Sequence, residues 1–440
     1  MDSFGLISLP AAVPSALSAM GAVLALPLLV AYTAFIERRI AEAMDERARP
    51  VTPGALGLLR YVARIARVGL GQDEGQAELR RRIFAMAPAI ALVAALIGYA
   101  VMPVGPAFQV ADPNVGLLFI LGLGALGIYG VLLRGEASAG GRIAMDFVNH
   151  AAQVVSCQAA AALGLLSGVL LAGSLAMGQI VQAQLDQGQW FIFYVPAGFF
   201  IYFVGSMAAM NRATAELPAA DADLFSVDAL ADATLPAPFY VLADYVSVIV
   251  VAGIATTVFL GGWLRPMASF RDRVPGTTIE ILDIVPVVAA LGLALFWYRR
   301  VRSHRTEMQK KAAATASGIC AFVGLALGIS LFVSAAVMAA VHGAFWFGLK
   351  VGGYIYCFVW VRFTLLQVER ERLMRQLWRI VIPVGFVNLI TTAMAVVGTQ
   401  DTGLPMRLTT IAATVATLGA GVWLAKYAGS EAEMQAAEGE

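Results

Sequence analysis

SMAAMNRATAELPAADADL, residues 206–224, is where an apolar run ends at Asn211 and Arg212 and passes into Glu216, Asp221 and Asp223. The run that leads into it, about 189–210, is continuous and unalternating, and a helix needs roughly 20 such residues to cross a bilayer. In hydrocarbon every backbone donor and acceptor must be satisfied within the protein, so an uninterrupted apolar run of this length reads as a membrane helix. Charge at the end of a span is costly. The usual reason for keeping it there is a path for an ion, a proton or a substrate.

The same pattern recurs outward from this stretch in both directions. Of the 440 residues, 60% are hydrophobic and 13% charged, and the mean hydropathy of +0.78 excludes an ordinary soluble globular domain. Eleven apolar runs follow one another at about 12–36, 84–102, 116–133, 152–176, 189–210, 239–262, 279–298, 313–341, 344–366, 377–398 and 408–428. The expected fold is all-α: a polytopic membrane helical bundle of about eleven transmembrane helices. With the N-terminus placed outside, 25 of the 30 Lys and Arg fall in inner loops and five, Arg265, Arg271, Arg273, Lys350 and Arg407, on the outer side. That bias orients the chain N-out and C-in, and Arg265 to Arg273 is the part that the rule would not have put outside. MDSFGLISLP at the N-terminus has no basic residue before the first apolar run, which therefore reads as a retained span. The expected location is the cell (inner) membrane, multi-pass, with membrane lipid as a partner and no nucleic acid.

Several polar residues stand out against this background. Glu37 closes the first span beside Arg38 and Arg39. The two arginines suit a stop-transfer anchor, whereas the acid does nothing for anchoring and is a candidate functional group. In the first inner loop Leu59, Val62, Ala66 and Leu70 recur at helical spacing, with Arg60, Arg64 and Arg67 on another face. This predicts an interfacial amphipathic helix, either adhering to headgroups or forming a lid beside an opening to the bilayer. Gln158, one turn into span four, can simply bond a neighbouring helix. Asp244 enters span six, where burial would disfavour its charged form and suit it to proton exchange. Asp221, Asp223, Asp228 and Asp232 read either as part of such a path or as a solvated acidic loop. Gly122, Gly124 and Gly127 spell G-x-G-x-x-G but lie within a span, without the strand and crossover that a dinucleotide fold needs, so close helix packing is the expected role. Cys157, Cys320 and Cys357 are scattered through spans, and His150, His304 and His342 are isolated. No metal site follows from them, and packing is the expected role of the cysteines.

The order of several short blocks then carries a resemblance. Glu37, Arg38 and Arg39 with Arg47, Pro50, Gly54 and Gly57 to Leu59 come first, then VADPNVGLL from Val110 and LAGSL from Leu171. NRA from Asn211, ELP from Glu216, TTVFLGGW from Thr256, Lys350, FVWVR from Phe358, and Leu373, Met374 and Pro383 follow at nearly gapless spacing. Over about 14–265 and 345–398 the chain resembles the H-type subunit, the heel membrane subunit of the proton-pumping NADH-quinone oxidoreductase, respiratory complex I. The resemblance implies a quinone tunnel bordered by spans one and six and the amphipathic helix, with Glu37, Arg38, Arg39, Arg47, Asn211 and Arg212 near it. It also implies a proton-coupling role for Glu216, Asp221, Asp223 and Asp244 and for the position of Gln158. The other membrane and peripheral subunits of such an assembly would be partners. Quinone would be the substrate of the complex, with no catalytic residue, metal or redox cofactor in this chain, which lacks cluster-binding cysteines and haem ligands.

The departures from the family are as informative. Its glutamate in span four is Gln158 here, and its glutamate before the T-N-R triplet is Ala209. Ala219 stands for an acid, Asn149 for an arginine, and Val227 to Asp232 replace a G-F-H-T-E-Y block. Residues 266–343 read as an inserted pair of spans between a family-like core at 1–265 and family-like C-terminal spans at 344–428, with an acidic, disordered tail at 429–440. The expected function is a membrane subunit that helps form the quinone tunnel and couples quinone reduction to proton translocation. The alternatives are a non-catalytic anchor of a related hydrogenase or redox complex with coupling lost, or a stand-alone proton-coupled transporter.

Overall fold

The computed structural model describes residues 26–27, 29–30, 32–37, 40, 78–105, 109, 111, 113–137, 141–210, 237–265, 281–303, 307–333, 335–364, 370–402 and 405–438. The described residues within 26–40 are helical and are labelled α1. After them come α2 (Glu78–Ala100), α3 (Gly116–Ala137), α4 (Gly141–Ala172), α5 (Met177–Gln187), a 3-10 turn at Phe191–Phe193, α6 (Pro196–Met210) and α7 (Ala237–Phe259). The second half holds α8 (Ile281–Ser303), α9 (Glu307–Val333), α10 (Ala335–Thr364), α11 (Arg370–Gln376), α12 (Ile382–Thr402) and α13 (Met406–Glu438). Among the described residues there is no strand. Five helical stretches are long and apolar enough to cross a membrane: Val148–Ala172, Leu242–Phe259, Val341–Thr364, Arg372–Thr399 and Met406–Leu424. Shorter apolar stretches lie in α2, α3, α6, α8 and α9, and with α1 these make up the eleven runs expected from the sequence.

The core forms around α7. Val246, Ala252, Ala255, Val258 and Phe259 are fully buried, because α7 packs against α2, α4, α5, α6 and α10 and a helix apolar all round belongs inside. Beside it α4 and α6 meet at backbone distance. A Cβ on Gly164 would lie 2.6 Å from the Gly198 carbonyl oxygen, and one on Gly205 would lie 2.7 Å from the Ala161 amide nitrogen. Small residues are what permit this approach in lipid, where dispersion contacts take the place of the hydrophobic effect between helices. On the outer side α5 is tied to the end of α7 through Gln184, whose Nε2 donates to the Thr257 carbonyl at 2.8 Å and whose Oε1 accepts from the Phe191 amide at 3.1 Å. α8 and α9 pack on each other and α9 packs on α10, leaving Val288, Phe322 and Ile329 exposed on their outward faces.

The helix from α11 into α12 contains one turn of wider pitch. Residues Leu377–Val381 are π-helical, and the Ile382 amide donates to the Leu377 carbonyl five residues back. Pro383 explains the turn. Proline has no amide hydrogen to give the Arg379 carbonyl, and its ring would press on that carbonyl in a regular α-helix, so the chain widens by one residue instead of breaking.

Some expectations are corrected. Of the three glycines in span three only Gly124 stands at a helix contact, since a Cβ on Gly122 or Gly127 would meet nothing. Cys157 is buried, but Cys320 is partly so and Cys357 is exposed beside the equally exposed Tyr356 and Trp360. α13 continues as helix to Glu438, through EAEMQAAE, whose Ala, Glu, Met and Gln are strong helix formers, where a disordered tail was expected. Arg265 is 2% exposed. An arginine packed inside the protein is not a loop charge, which removes its conflict with the charge bias. The amphipathic helix expected over 59–70 lies outside the described residues.

Candidate functional site

α1 and α10 run side by side in the same direction. The Tyr32 hydroxyl donates to the Gly352 carbonyl at 3.4 Å, and further along both helices Arg362 Nη1 donates to Glu37 Oε1 at 3.2 Å. Parallel descent is what the charge bias requires of the first and ninth spans, both of which run from outside to inside. Glu37 and Arg362 keep 26% and 22% of their side-chain surface. An ion pair that open contributes on the order of 1 kcal/mol at most. Stability alone therefore gives little account of a carboxylate and a guanidinium held together at the end of two apolar helices. Tyr32 and Phe35, on the same helix, remain exposed and supply apolar surface next to it.

α10 also holds α6, the span that leads to Asn211. Ser206 Oγ donates to the Phe203 carbonyl at 3.0 Å and lies 3.2 Å from the Tyr354 hydroxyl. Ser206 commits its one proton to that carbonyl, so Tyr354 is the donor between the two hydroxyls. Phe203 meets Tyr354 at 5.5 Å and Phe358 at 6.2 Å between ring centroids, both edge to face, a preferred geometry for aromatic pairs. The inner end of α6 is thereby fixed to the helix that bears Arg362.

Gln158 and Asp244 stand on other helices. Gln158, on α4, is partly buried, and its Nε2 lies 3.3 Å from where a Cβ on Gly124 would be. Asp244 is half-buried on α7 between buried Ala243 and Val246. Ala209 is 5% exposed and packs in a closed apolar cluster with Cys157, Ala160, Ala208 and Leu377. Arg38, Arg39, Arg47, Asn211, Arg212, Glu216, Asp221 and Asp223 lie outside the described residues. Of the expected site residues, then, Glu37 is joined to a partner that sequence reasoning had left out. The available signal was the opposite charge of Arg362 at the same membrane edge of another odd-numbered span. Ser206 and Tyr354, also missed, gave no signal beyond being hydroxyls within apolar runs.

Comparison with known proteins identifies the family. The family model described as NADH dehydrogenase matches residues 17–393. The second of the H-type NADH-quinone oxidoreductase subunits of Solibacter usitatus is 33% identical over 374 residues, covering 84% of this chain and 93% of the relative. The first H-type subunit of Koribacter versatilis is 32% identical over 377 residues, with 82% and 86% covered, and that of Magnetococcus marinus is 29% identical over 376 residues, with 85% and 89% covered. The matched region takes in α1, the α4–α6 contact and Arg362 alike, so the chain belongs to the NADH dehydrogenase family, among the H-type membrane subunits of NADH-quinone oxidoreductase.

Proposed function

We propose that this chain, as a membrane subunit of an NADH-quinone oxidoreductase in the cell inner membrane, forms one wall of the site where quinone is reduced. The observation that carries the proposal is the Glu37–Arg362 pair at the inner ends of α1 and α10, polar in its headgroup direction and flanked by exposed Tyr32 and Phe35. A quinone has the same division, a ring with two carbonyl acceptors on a greasy tail. Arg362 is a permanent donor suited to a carbonyl oxygen, and Glu37 holds that guanidinium in place. Arg38, Arg39, Arg47, Asn211 and Arg212 belong to the same region by the family resemblance. The electrons come from partner subunits. The chain's own residues orient the ring, stabilise negative charge as it forms on the oxygens and keep a carboxylate within reach of the protons that reduction consumes. Glu216, Asp221, Asp223 and Asp244 would carry the coupling to proton movement, through an α6 whose inner end is fixed to α10 by Tyr354.

The test is the purified complex carrying Glu37→Gln or Arg362→Met. Either change should lower kcat/KM for quinone about tenfold or more, roughly 1.4 kcal/mol of transition-state stabilisation, while electron delivery to a hydrophilic acceptor is retained. Quinone turnover unchanged in both variants would overturn the proposal. A second reading, a membrane anchor in which coupling is lost, is favoured by Ala209 and Cys157, which close an apolar contact where the family has an acid. In vesicles, quinone reduction without any proton gradient would decide for that reading.

A further inference from the structure

A polar junction between α4, α6 and α12 has no part in the quinone wall. α12 turns two strips toward its neighbours. Val384 and Thr391 face α13, since a Cβ on Gly421 would lie 3.6 Å from Val384 Cγ2 and Thr391 Oγ1 lies 3.1 Å from Thr417 Oγ1. Gly385 faces α4, where its Cβ would lie 3.1 Å from Leu163 Cβ. At about 100° per residue, Asn388 and Thr392 fall with Gly385 on the α4 side, and one turn beyond Leu163 on α4 is Ser167. Asn388 and Thr392 are 2% and 1% exposed, and Asn388 Nδ2 and Thr392 Oγ1 are buried without a hydrogen-bond partner among the described residues. α6 closes the third side at Gly198. A Cβ there would run into Ser167 Oγ and come 3.1 Å from the Gly164 carbonyl oxygen and 3.3 Å from Asn388 Nδ2.

Ser167 Oγ donates to the Gly164 carbonyl at 2.6 Å, which commits its one proton and leaves its oxygen able only to accept. The reverse orientation of the Asn388 amide would set Oδ1 against that oxygen, two acceptors facing each other, so Nδ2 is the atom that faces the junction. Ser167 lies five residues, about 8 Å, from Ala172 and Asn388 eleven residues, about 16 Å, from Thr399, the ends of their apolar stretches. At that depth bulk water does not serve the amide, and a donor left unserved in hydrocarbon is costly. We propose that the junction holds one bound water, which accepts from Asn388 Nδ2 and the Thr392 hydroxyl and donates to Ser167 Oγ. Three hydrogen bonds are the usual complement of a buried water. They join α12 to α4 at a point where α6 leaves room because residue 198 is glycine. An inward-facing donor and two neutral hydroxyls suit water and reject a metal cation. The site is isolated and not part of a conduit, since residues 159–166 of α4, toward Gln158, are all Ala, Leu or Gly. The proposal is independent of quinone binding at Glu37.

The test is electron cryo-microscopy of the native complex at a resolution that shows ordered waters elsewhere in the protein. Density for one water is expected about 2.7–3.2 Å from both Asn388 Nδ2 and Ser167 Oγ. Well-defined side chains with no density between them would overturn the proposal, and so would a peak at the roughly 2.3–2.6 Å of a hard cation on oxygen ligands. Radiolysis reads the same site in solution. A short X-ray pulse turns bound water into hydroxyl radical, which oxidises the side chains beside it, and peptide mapping finds them. Oxidation of Leu163 and its neighbours on α4 is expected to fall about threefold or more in Asn388→Leu, which fills the amide's place without its donor. Thr391→Val, on the α13 side, should leave it unchanged. Equal oxidation in the unaltered and Asn388→Leu complexes would count against the water as firmly as an empty map. Should Asn388→Leu fail to assemble, the map of the native complex decides alone.

Discussion

At the scale of single residues, the interior of this protein discriminates between two positions where the family carries acids. Gln158 is partly buried beside Gly124, where a carboxylate of nearly the same size has room. Ala209 is enclosed by Cys157, Ala160, Ala208 and Leu377, where a longer side chain overfills the site and a charge has no partner. Gln158→Glu should therefore give normal amounts of assembled complex, whereas Ala209→Glu should cost several kcal/mol, on the order of 3 or more, and deplete it. Blue-native gels of membranes from the two strains read the difference. Tyr354→Phe is milder. It leaves the ring contacts with Phe203 and Phe358 and loses a single hydrogen bond between helices, worth about 0.6 kcal/mol and at most about 1.7 kcal/mol in a membrane protein. A double-mutant cycle with Ser206→Ala, read by thermal inactivation, should return a coupling in that range. Glu37 was legible in the sequence because an acid at a span end has no anchoring use. Arg362 was harder to find, since its neighbour belongs to a helix some 325 positions away and no local pattern encodes that meeting.

Among the elements, the apolar runs revealed the helices, because the bilayer requires length and hydrophobicity in each span independently of its neighbours. Which helices touch was not legible, because small residues occur on lipid-facing and protein-facing sides alike. Gly164 and Gly205 prove to be contact points while Gly122 and Gly127 face open space, yet all four look the same in the sequence. Gly164→Leu should drive α4 and α6 apart and destabilise the protein by at least about 2 kcal/mol, seen as loss of assembled complex, whereas Gly127→Leu should be silent. The π turn at Leu377–Val381 belongs to this scale too. Pro383→Ala removes the reason for the extra residue. The helix then regains regular pitch and turns α11 by about 100° against α12, pulling Leu377 off Cys157. Loss of protection of a Cys157 thiol from a small membrane-permeant alkylating reagent is the expected sign, against burial in the unaltered protein.

For the whole molecule, α7 is the buried axis, α10 is the helix that carries both Lys350 and Arg362, and α1 and α6 are fastened to it at Glu37 and Ser206. Charge counting placed these helices in the correct relative direction, since α1 and α10 descend together. Of the outer arginines that stood against the count, Arg265 is buried, and Arg271 and Arg273 lie outside the described residues. The eight expected site residues at 38–47 and 211–223 lie outside the described residues, so the proposed quinone wall rests on the Glu37–Arg362 pair. The measurement that bears on it most directly is photolabelling of the native complex with a light-activated quinone analogue, followed by peptide mapping. Label should appear on the peptides that contain Glu37 and Arg362, and excess natural quinone should abolish it. Label confined to other subunits, with both peptides clean, would contradict a quinone site at this corner of the bundle.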